Sequence, residues 1–208
     1  MVKTSLSSRP AAALAGLFYG PMASGKTSTL LRCAKQLSPS FGRIVGIKSN
    51  IDSRWGAEHI RSRCGLLLQA TPLSVLRCAK ISADTLFVVD EAQFFPDLLE
   101  FYSRVFQTSL PGVGLLAAGL HEDSGGHDFG QVNAVASLLQ SAQVASTASP
   151  VRVFVEKLSS ICSHPGCGLP AEHTHRQSQS AEDEQQVKVG DLGEYLPLCG
   201  RHFQRSAL

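Results

Sequence analysis

Short, continuous apolar runs alternate along this chain with longer segments whose apolar residues recur every three or four positions. Residues 11–19 form the first run and predict a buried strand. A glycine-rich turn follows, and 27–37 then carries Leu30, Leu31 and Ala34 at helical spacing until Ser38-Pro39-Ser40 ends it. Residues 43–48 predict a second strand through Ile44, Val45 and Ile47. Residues 50–65 are polar with little periodicity and predict a loop, and 66–68 and 73–79 predict weaker elements. Residues 85–89 read as a buried strand ending in Asp90-Glu91. A helix over 96–106 would place Leu98, Leu99, Tyr102, Val105 and Phe106 on one face. Then come a strand at 114–118, a helix at 132–142 and an alternating strand at 151–155.

Apolar strands separated by helices imply a mainly parallel sheet with both faces covered, an α/β fold. From about Leu158 the periodicity fades and Cys, His, Pro and Gly rise. The expected division is therefore a nucleotide-binding domain over 1–157 and a small C-terminal module over 158–208. Residues 177–186 (QSQSAEDEQQ) predict a flexible loop inside that module.

Composition narrows the function classes. Of 208 residues, 43% are hydrophobic and 17% charged, which excludes a wholly disordered chain. Nineteen Lys and Arg against 17 Asp and Glu give a net charge of +2, too balanced for a dedicated polyanion binder. The balance is uneven along the chain: Lys3, Arg9, Lys26, Arg32, Lys35, Arg43 and Lys48 all precede Asp52, the first acid. That bias suits a first quarter that handles phosphate, and equally a set of solvated faces. No apolar run reaches membrane-spanning length. Residues 11–19 superficially resemble a signal-peptide core, but cleavage there would destroy the loop that follows. An acid-free start also suits a very short targeting segment; the expected compartment is the cytoplasm.

Gly20-Pro21-Met22-Ala23-Ser24-Gly25-Lys26-Thr27 is a G-x-x-x-x-G-K-T phosphate loop between a strand and a helix. Its glycines let backbone amides curl round a phosphate, and the helix aims its N-terminus at the same anion. Lys26 supplies positive charge to the β and γ phosphates of a nucleoside triphosphate, and Thr27 a hydroxyl for Mg2+. Asp90, at the end of an apolar strand, suits a second Mg2+-holding carboxylate. Glu91 beside it is free to face a nucleophile. Gln93, Phe94 and Phe95 follow at the strand's carboxyl end, where such sheets bind ligands.

Cys162-x4-Cys167 and Cys199-x2-His202 form a third constellation. Three thiolates and an imidazole make a tetrahedral zinc set with no open position, so the site would be structural. The first half is wide, and His164 inside it is an alternative ligand. His59, His121, His127, His173 and His175 show no metal spacing and read as surface or locally hydrogen-bonded groups.

Together these pieces resemble the small, zinc-containing thymidine kinases. The matching stretches are GPMASGKT, Asp52-Ser53-Arg54, Asp90-Glu91-Ala92-Gln93-Phe94-Phe95, Ala118-Gly119-Leu120 and Phe129-Gly130. Beyond the first Cys pair they are Ala171, Thr174 and Arg176, then Val189-Gly190, Tyr195 and the Cys199–His202 pair. The resemblance implies a RecA-like P-loop domain with a zinc-binding lid, ATP-dependent phosphorylation of the 5′-hydroxyl of thymidine or deoxyuridine, and a homotetramer that engages neither nucleic acid nor membrane. It implies that Glu91 is the base and that Arg54 stabilises the transferring phosphoryl group, with Asp52 nearby. Gly20 to Thr27, Asp52, Asp90 and Gln93 would serve ATP and Mg2+. Met22, Phe94, Leu120, Ser124, Phe129, Thr174, Val187, Lys188, Val189, Gly190 and Tyr195 would form the nucleoside pocket.

The chain departs from the family pattern around that pocket. Ala23 replaces a bulky residue, and Ser62-Arg63 stands for Ser/Thr-His. His121 and Ser124 stand where Asp and Phe are usual, and His173 where an aromatic is usual. Two rival readings stand beside the resemblance: a catalytically impaired nucleotide-binding relative with a regulatory role, motivated by the altered stretch 121–128, and a zinc-ribbon P-loop ATPase dependent on nucleic acid. The second needs a basic aromatic stripe, and 182–184 is acidic instead.

Overall fold

Alternate residues of each apolar run face opposite ways, and both directions are buried. In the computed structural model, which describes residues 13–52, 56, 58–144, 151–177 and 194–203, strand β1 (Ala13–Tyr19) sends Leu14 and Phe18 to one face of a sheet and Ala15, Leu17 and Tyr19 to the other. Strand β5 (Thr85–Val89) divides Leu86 and Val88 from Phe87 and Val89 in the same way. Helix α1 (Lys26–Leu37) covers the first face with Leu30, Leu31 and Ala34. Helices α2 (Leu98–Gln107) and α3 (Val132–Val144) cover the second. This double burial is why the strands read as unbroken apolar runs rather than as alternating ones.

The other strands of the sheet are β2 (Arg43–Ser49), β3 (His59–Arg61), β4 (Leu67–Leu73), β6 (Val113–Gly119) and β7 (Val151–Lys157). The order is β3-β4-β2-β5-β6-β1-β7. Every pairing is parallel except β3 with β4, so the expected mainly parallel α/β sheet is present. Parallel alignment brings the carboxyl ends of β1, β5 and β6 to one edge. Gly20, Asp90 and Leu120, each the first residue past a strand, therefore meet there.

Two elements differ from the sequence reading. The polar stretch 50–65 contains β3, whose one strongly buried side chain is Ile60; a single apolar residue leaves no periodicity to detect. The weak elements predicted at 66–68 and 73–79 are instead bridged by one strand, β4. It carries Pro72 opposite Lys48, beyond the three residues that pair with β3. A proline without an N–H is tolerated where no partner needs one. Ala11 and Ala12, part of the predicted first strand, lie outside the described residues.

Residues after β7 form two short antiparallel pairs, β8 (Ser160–Ile161) with β9 (Pro170–Ala171), and β10 (His173–Arg176) with β11 (Tyr195–Leu198). Their small core is Cys162, Ala171, Leu198, Cys199 and Phe203. The chain enters this region directly over the phosphate loop: Leu158 N–H donates to Tyr19 O at 2.7 Å. A Cβ on Gly20 would stand 2.1 Å from Leu158 O, and its φ of +148° also favours glycine.

Candidate active site and metal centre

The phosphate loop closes with Gly25 in the left-handed region (φ 81°), and α1 begins at Lys26 with no side-chain cap and no acid in its first turn. Its first N–H groups are therefore left for an anion. Lys26 Nζ donates to Pro21 O at 2.6 Å across the loop. Thr27 Oγ1 donates to the Asp90 carboxylate, 3.1 Å from both oxygens. Burial, reinforced by the neighbouring Glu91 charge, pushes the Asp90 carboxyl up to about 7. A buried carboxylate paired with a hydroxyl is a hard-oxygen donor set that fits Mg2+.

Glu91 is held in an unusual backbone conformation, φ 51° and ψ 47°. Such a non-glycine residue costs about 1–3 kcal/mol and persists only where its surroundings impose it. Here they do. Gln93 Nε2 donates to Glu91 Oε2 at 2.7 Å, while Gln93 Oε1 accepts from Leu120 N–H at 2.9 Å. The amide thus fixes the carboxylate against the end of β6. Gly130 (φ 60°) allows the close approach on the other side, since a Cβ there would meet Gln93 O at 2.3 Å.

These groups open onto a cavity of about 450 Å³, within the usual range for a small-molecule site. Of the predicted site residues, Met22, Lys26, Thr27, Asp52, Asp90, Glu91, Gln93, Phe94, Leu120, Ser124, Phe129, Thr174 and Tyr195 are among those that line it. Phe94 and Phe129 meet edge to face, ring centroids 5.6 Å apart. Met22 N–H donates to Thr174 Oγ1 at 2.9 Å, which joins the phosphate loop to β10. Arg54, Val187, Lys188, Val189 and Gly190 lie outside the described residues.

Lys48 is a lining residue that the sequence reading passed over. It is buried at the end of β2, 3.7 Å from the Asp52 carboxylate, and donates to Gly56 O at 2.8 Å. Its signal was available: a lysine at a strand's carboxyl end four residues before an acid. Arg63 and Cys64 also line the cavity, and Cys64 Sγ lies 3.4 Å from Ser28 Oγ in the first turn of α1.

The second centre gathers Cys162, Cys167, Cys199 and His202, with all ligand atoms within 4.8 Å of one another. Cys167 Sγ and Cys199 Sγ are 3.8 Å apart, and His202 Nδ1 lies 3.5 and 3.4 Å from the sulfurs of Cys162 and Cys199. A tetrahedral zinc with ordinary bond lengths has S···S edges of about 3.8 Å and S···N edges of about 3.5 Å. The donor set therefore fits zinc in both chemistry and spacing. Burial opposes ionisation of Cys162, yet backbone N–H groups and the His202 ring hold its thiol down at about 6. His164, the alternative ligand, stands outside the set and stacks on the His202 ring at 3.8 Å.

A sequence model of thymidine kinases matches residues 13–203, nearly the whole described chain. The chain belongs to the thymidine kinase family. It is 30% identical over 189 residues to a thymidine kinase of Bacteroides thetaiotaomicron, covering 90% of this chain and 85% of the relative. Thymidine kinases of two Bacteroides fragilis strains are 28% identical over 190 residues, with the same coverage. This thymidine kinase family member is thus an enzyme whose substrates are a nucleoside and ATP. No helix among its described residues is long and apolar enough to cross a membrane.

The family departures have definite places. Ala23 takes a left-handed conformation (φ 59°) within the phosphate loop. Segment 121–129 folds back on itself: Asp123 Oδ1 accepts from the N–H groups of Gly125 and His127, and Phe129 N–H donates to His121 O. Ser124 remains a lining residue. The His121 side chain is neither surface-exposed nor hydrogen-bonded, against the sequence reading. It is buried edge-on to Tyr19, neither ring nitrogen has a hydrogen-bond partner, and burial lowers its pKa. Its alternation from solvent to core depends on how 121–129 folds, which no local pattern encodes.

Proposed function

We infer that the chain transfers the γ-phosphoryl group of ATP to the 5′-hydroxyl of thymidine or deoxyuridine. The observation that carries this reading is the pinned Glu91 carboxylate, set between the Thr27–Asp90 pair and an aromatic-walled cleft. Phosphoryl transfer needs alignment, neutralised charge and a nearby base more than covalent help from the protein. In this account Glu91 accepts the 5′-hydroxyl proton, and Gln93 keeps its carboxylate aimed at that proton. Gly20 to Thr27 bind the phosphates through Lys26 and loop amides. Lys48 fixes Asp52, and Arg54 would stabilise charge on the transferring group. Asp90 and Thr27 would hold Mg2+, which would supply positive charge to offset that of the phosphates.

Phe94, Phe129 and Met22 would wall the base, with Leu120, Thr174, Tyr195 and the segment Val187 to Gly190 completing the pocket. Residues 1–157 would form the nucleotide-binding domain, and 158–208 the lid, closed at its base by zinc on Cys162, Cys167, Cys199 and His202. The family resemblance supports a cytoplasmic homotetramer.

The pocket reading is tested at its clearest departure. An aromatic face on a flat base contributes about 0.5–1.5 kcal/mol beyond burial. Ser124→Phe should therefore lower the thymidine KM by about three- to tenfold and leave the ATP KM nearly unchanged. Phe129→Ala should raise the thymidine KM. Steady-state kinetics with each substrate varied in turn check both; an unchanged thymidine KM in both variants would remove this wall from the substrate site.

A further inference from the structure

His173, a family departure, touches Glu122, the neighbour in sequence of the departure at His121. His173 Nδ1 lies 2.7 Å from Glu122 Oε2, both side chains mostly buried. A carboxylate only accepts, so Nδ1 carries the hydrogen. Glu122 belongs to the folded-back segment after β6 and lines the base end of the cleft with Ser124 and Phe129. His173 opens β10, directly before Thr174, which lines the same cleft and accepts the Met22 N–H. The opposite edge of this contact is anchored to the metal centre: the His173 ring stacks on Phe203 at 4.4 Å and 12°, and Phe203 directly follows His202. His173 also pairs with Leu198, the residue before Cys199. One side chain thus bridges the Cys3His module and the wall of the base pocket.

The second oxygen of Glu122 faces His121, with Oε1 3.8 Å from Nε2. Both nitrogens of that buried ring lack a hydrogen-bond partner. A buried polar group without a partner is costly, so His121 competes for the same carboxylate. While His173 donates, Glu122 is held outward against β10. Without that donor, Glu122 has a partner waiting inward, and β10 loses its charged tie to the pocket wall.

We propose that Glu122 and His173 are a positioning pair for nucleoside binding: their hydrogen bond sets Thr174 and β10 against the base pocket and so couples the metal-bound module to substrate affinity. This rests on the reading of the cleft as the nucleoside site. The pair itself touches neither Lys26 nor Glu91, and its tie to the phosphate loop runs through Thr174 to the Met22 backbone, so its effect falls mainly on nucleoside affinity and far less on ATP affinity.

His173→Phe isolates the bond, because the flat ring can still stack on Phe203 while the donor is gone. It should raise the thymidine KM about tenfold, the ordinary cost of losing a hydrogen bond to a charged group. The ATP KM should stay within about twofold, and the metal content should be unchanged. Glu122→Ala should behave alike, and the double variant no worse than the poorer single one, since both remove one interaction. His173→Asn, which keeps an N–H near the Nδ1 position, should recover much of the loss. A His173→Phe enzyme with wild-type thymidine KM, or single effects that multiply in the double variant, would overturn the pairing. So would equal rises in both KM values, which would mark a merely structural role. Phe129→Ala measured alongside separates two failures. If it alone raises the thymidine KM, the positioning pair falls and the pocket stands; if none of these variants changes that KM, the pocket assignment falls too.

Discussion

Glu91→Gln is expected to lower the rate of thymidine phosphorylation by about 10²–10⁴-fold, the usual contribution of a general base, while ATP still binds. Glutamine fills the same space and can keep a hydrogen bond to Gln93, whose amide now donates 2.7 Å from Glu91 Oε2. It cannot take a proton from the 5′-hydroxyl. The Thr27–Asp90 pair and the Lys26–Pro21 contact do not involve the Glu91 side chain, so the phosphate end should be preserved. Single-turnover rates with nucleotide binding measured in parallel separate the two effects. Turnover near that of the wild type would take the base role away from Glu91.

The second large effect concerns the metal. Purified protein should contain one zinc per chain, and Cys199→Ser should lose most of it. Cys199 lies 3.8 Å from the Cys167 sulfur and 3.4 Å from His202 Nδ1, and its removal breaks all three edges of the tetrahedron that meet at it. Because metal binding and local folding are one process in such small modules, the loss should loosen β10 and β11 and weaken nucleoside binding with them. Elemental analysis and thymidine KM together check this. Cys167→Ser should lose zinc as well, and His164→Ala should retain it, since His164 stacks on the ligand ring and lies outside the donor set. Metal-free wild-type protein with full activity would refute the centre. Zinc retained by Cys167→Ser and lost by His164→Ala would reassign the wide half of the site.

The parts legible in sequence are those whose chemistry is local. A phosphate loop declares itself in eight residues, and the apolar run 85–89 ending in acids locates the adjoining carboxylates. The Cys and His spacing gave the metal set with one ambiguity. Only three-dimensional packing removes it, because 31 residues separate Cys167 from Cys199. Strand β3 escaped because three residues with one buried side chain carry no period. Helix α2 starts at Leu98, two residues later than predicted. Asp97, just before it, turns its side chain away to accept from the N–H groups of Leu76 and Arg77. Glu122 escaped for a stronger reason. Its partner lies 51 residues away, and nothing near either residue signals the contact. A departure such as His173 can be read in sequence, but the residue it meets is a property of the fold.

The most direct test of the central claim is a panel of nucleosides incubated with the protein, ATP and Mg2+, with the 5′-monophosphate measured for each. Thymidine and deoxyuridine should be converted and purine nucleosides should not. Absence of thymidine monophosphate under conditions where the protein binds ATP would contradict the proposed reaction, and equal conversion of purines would contradict the proposed pocket.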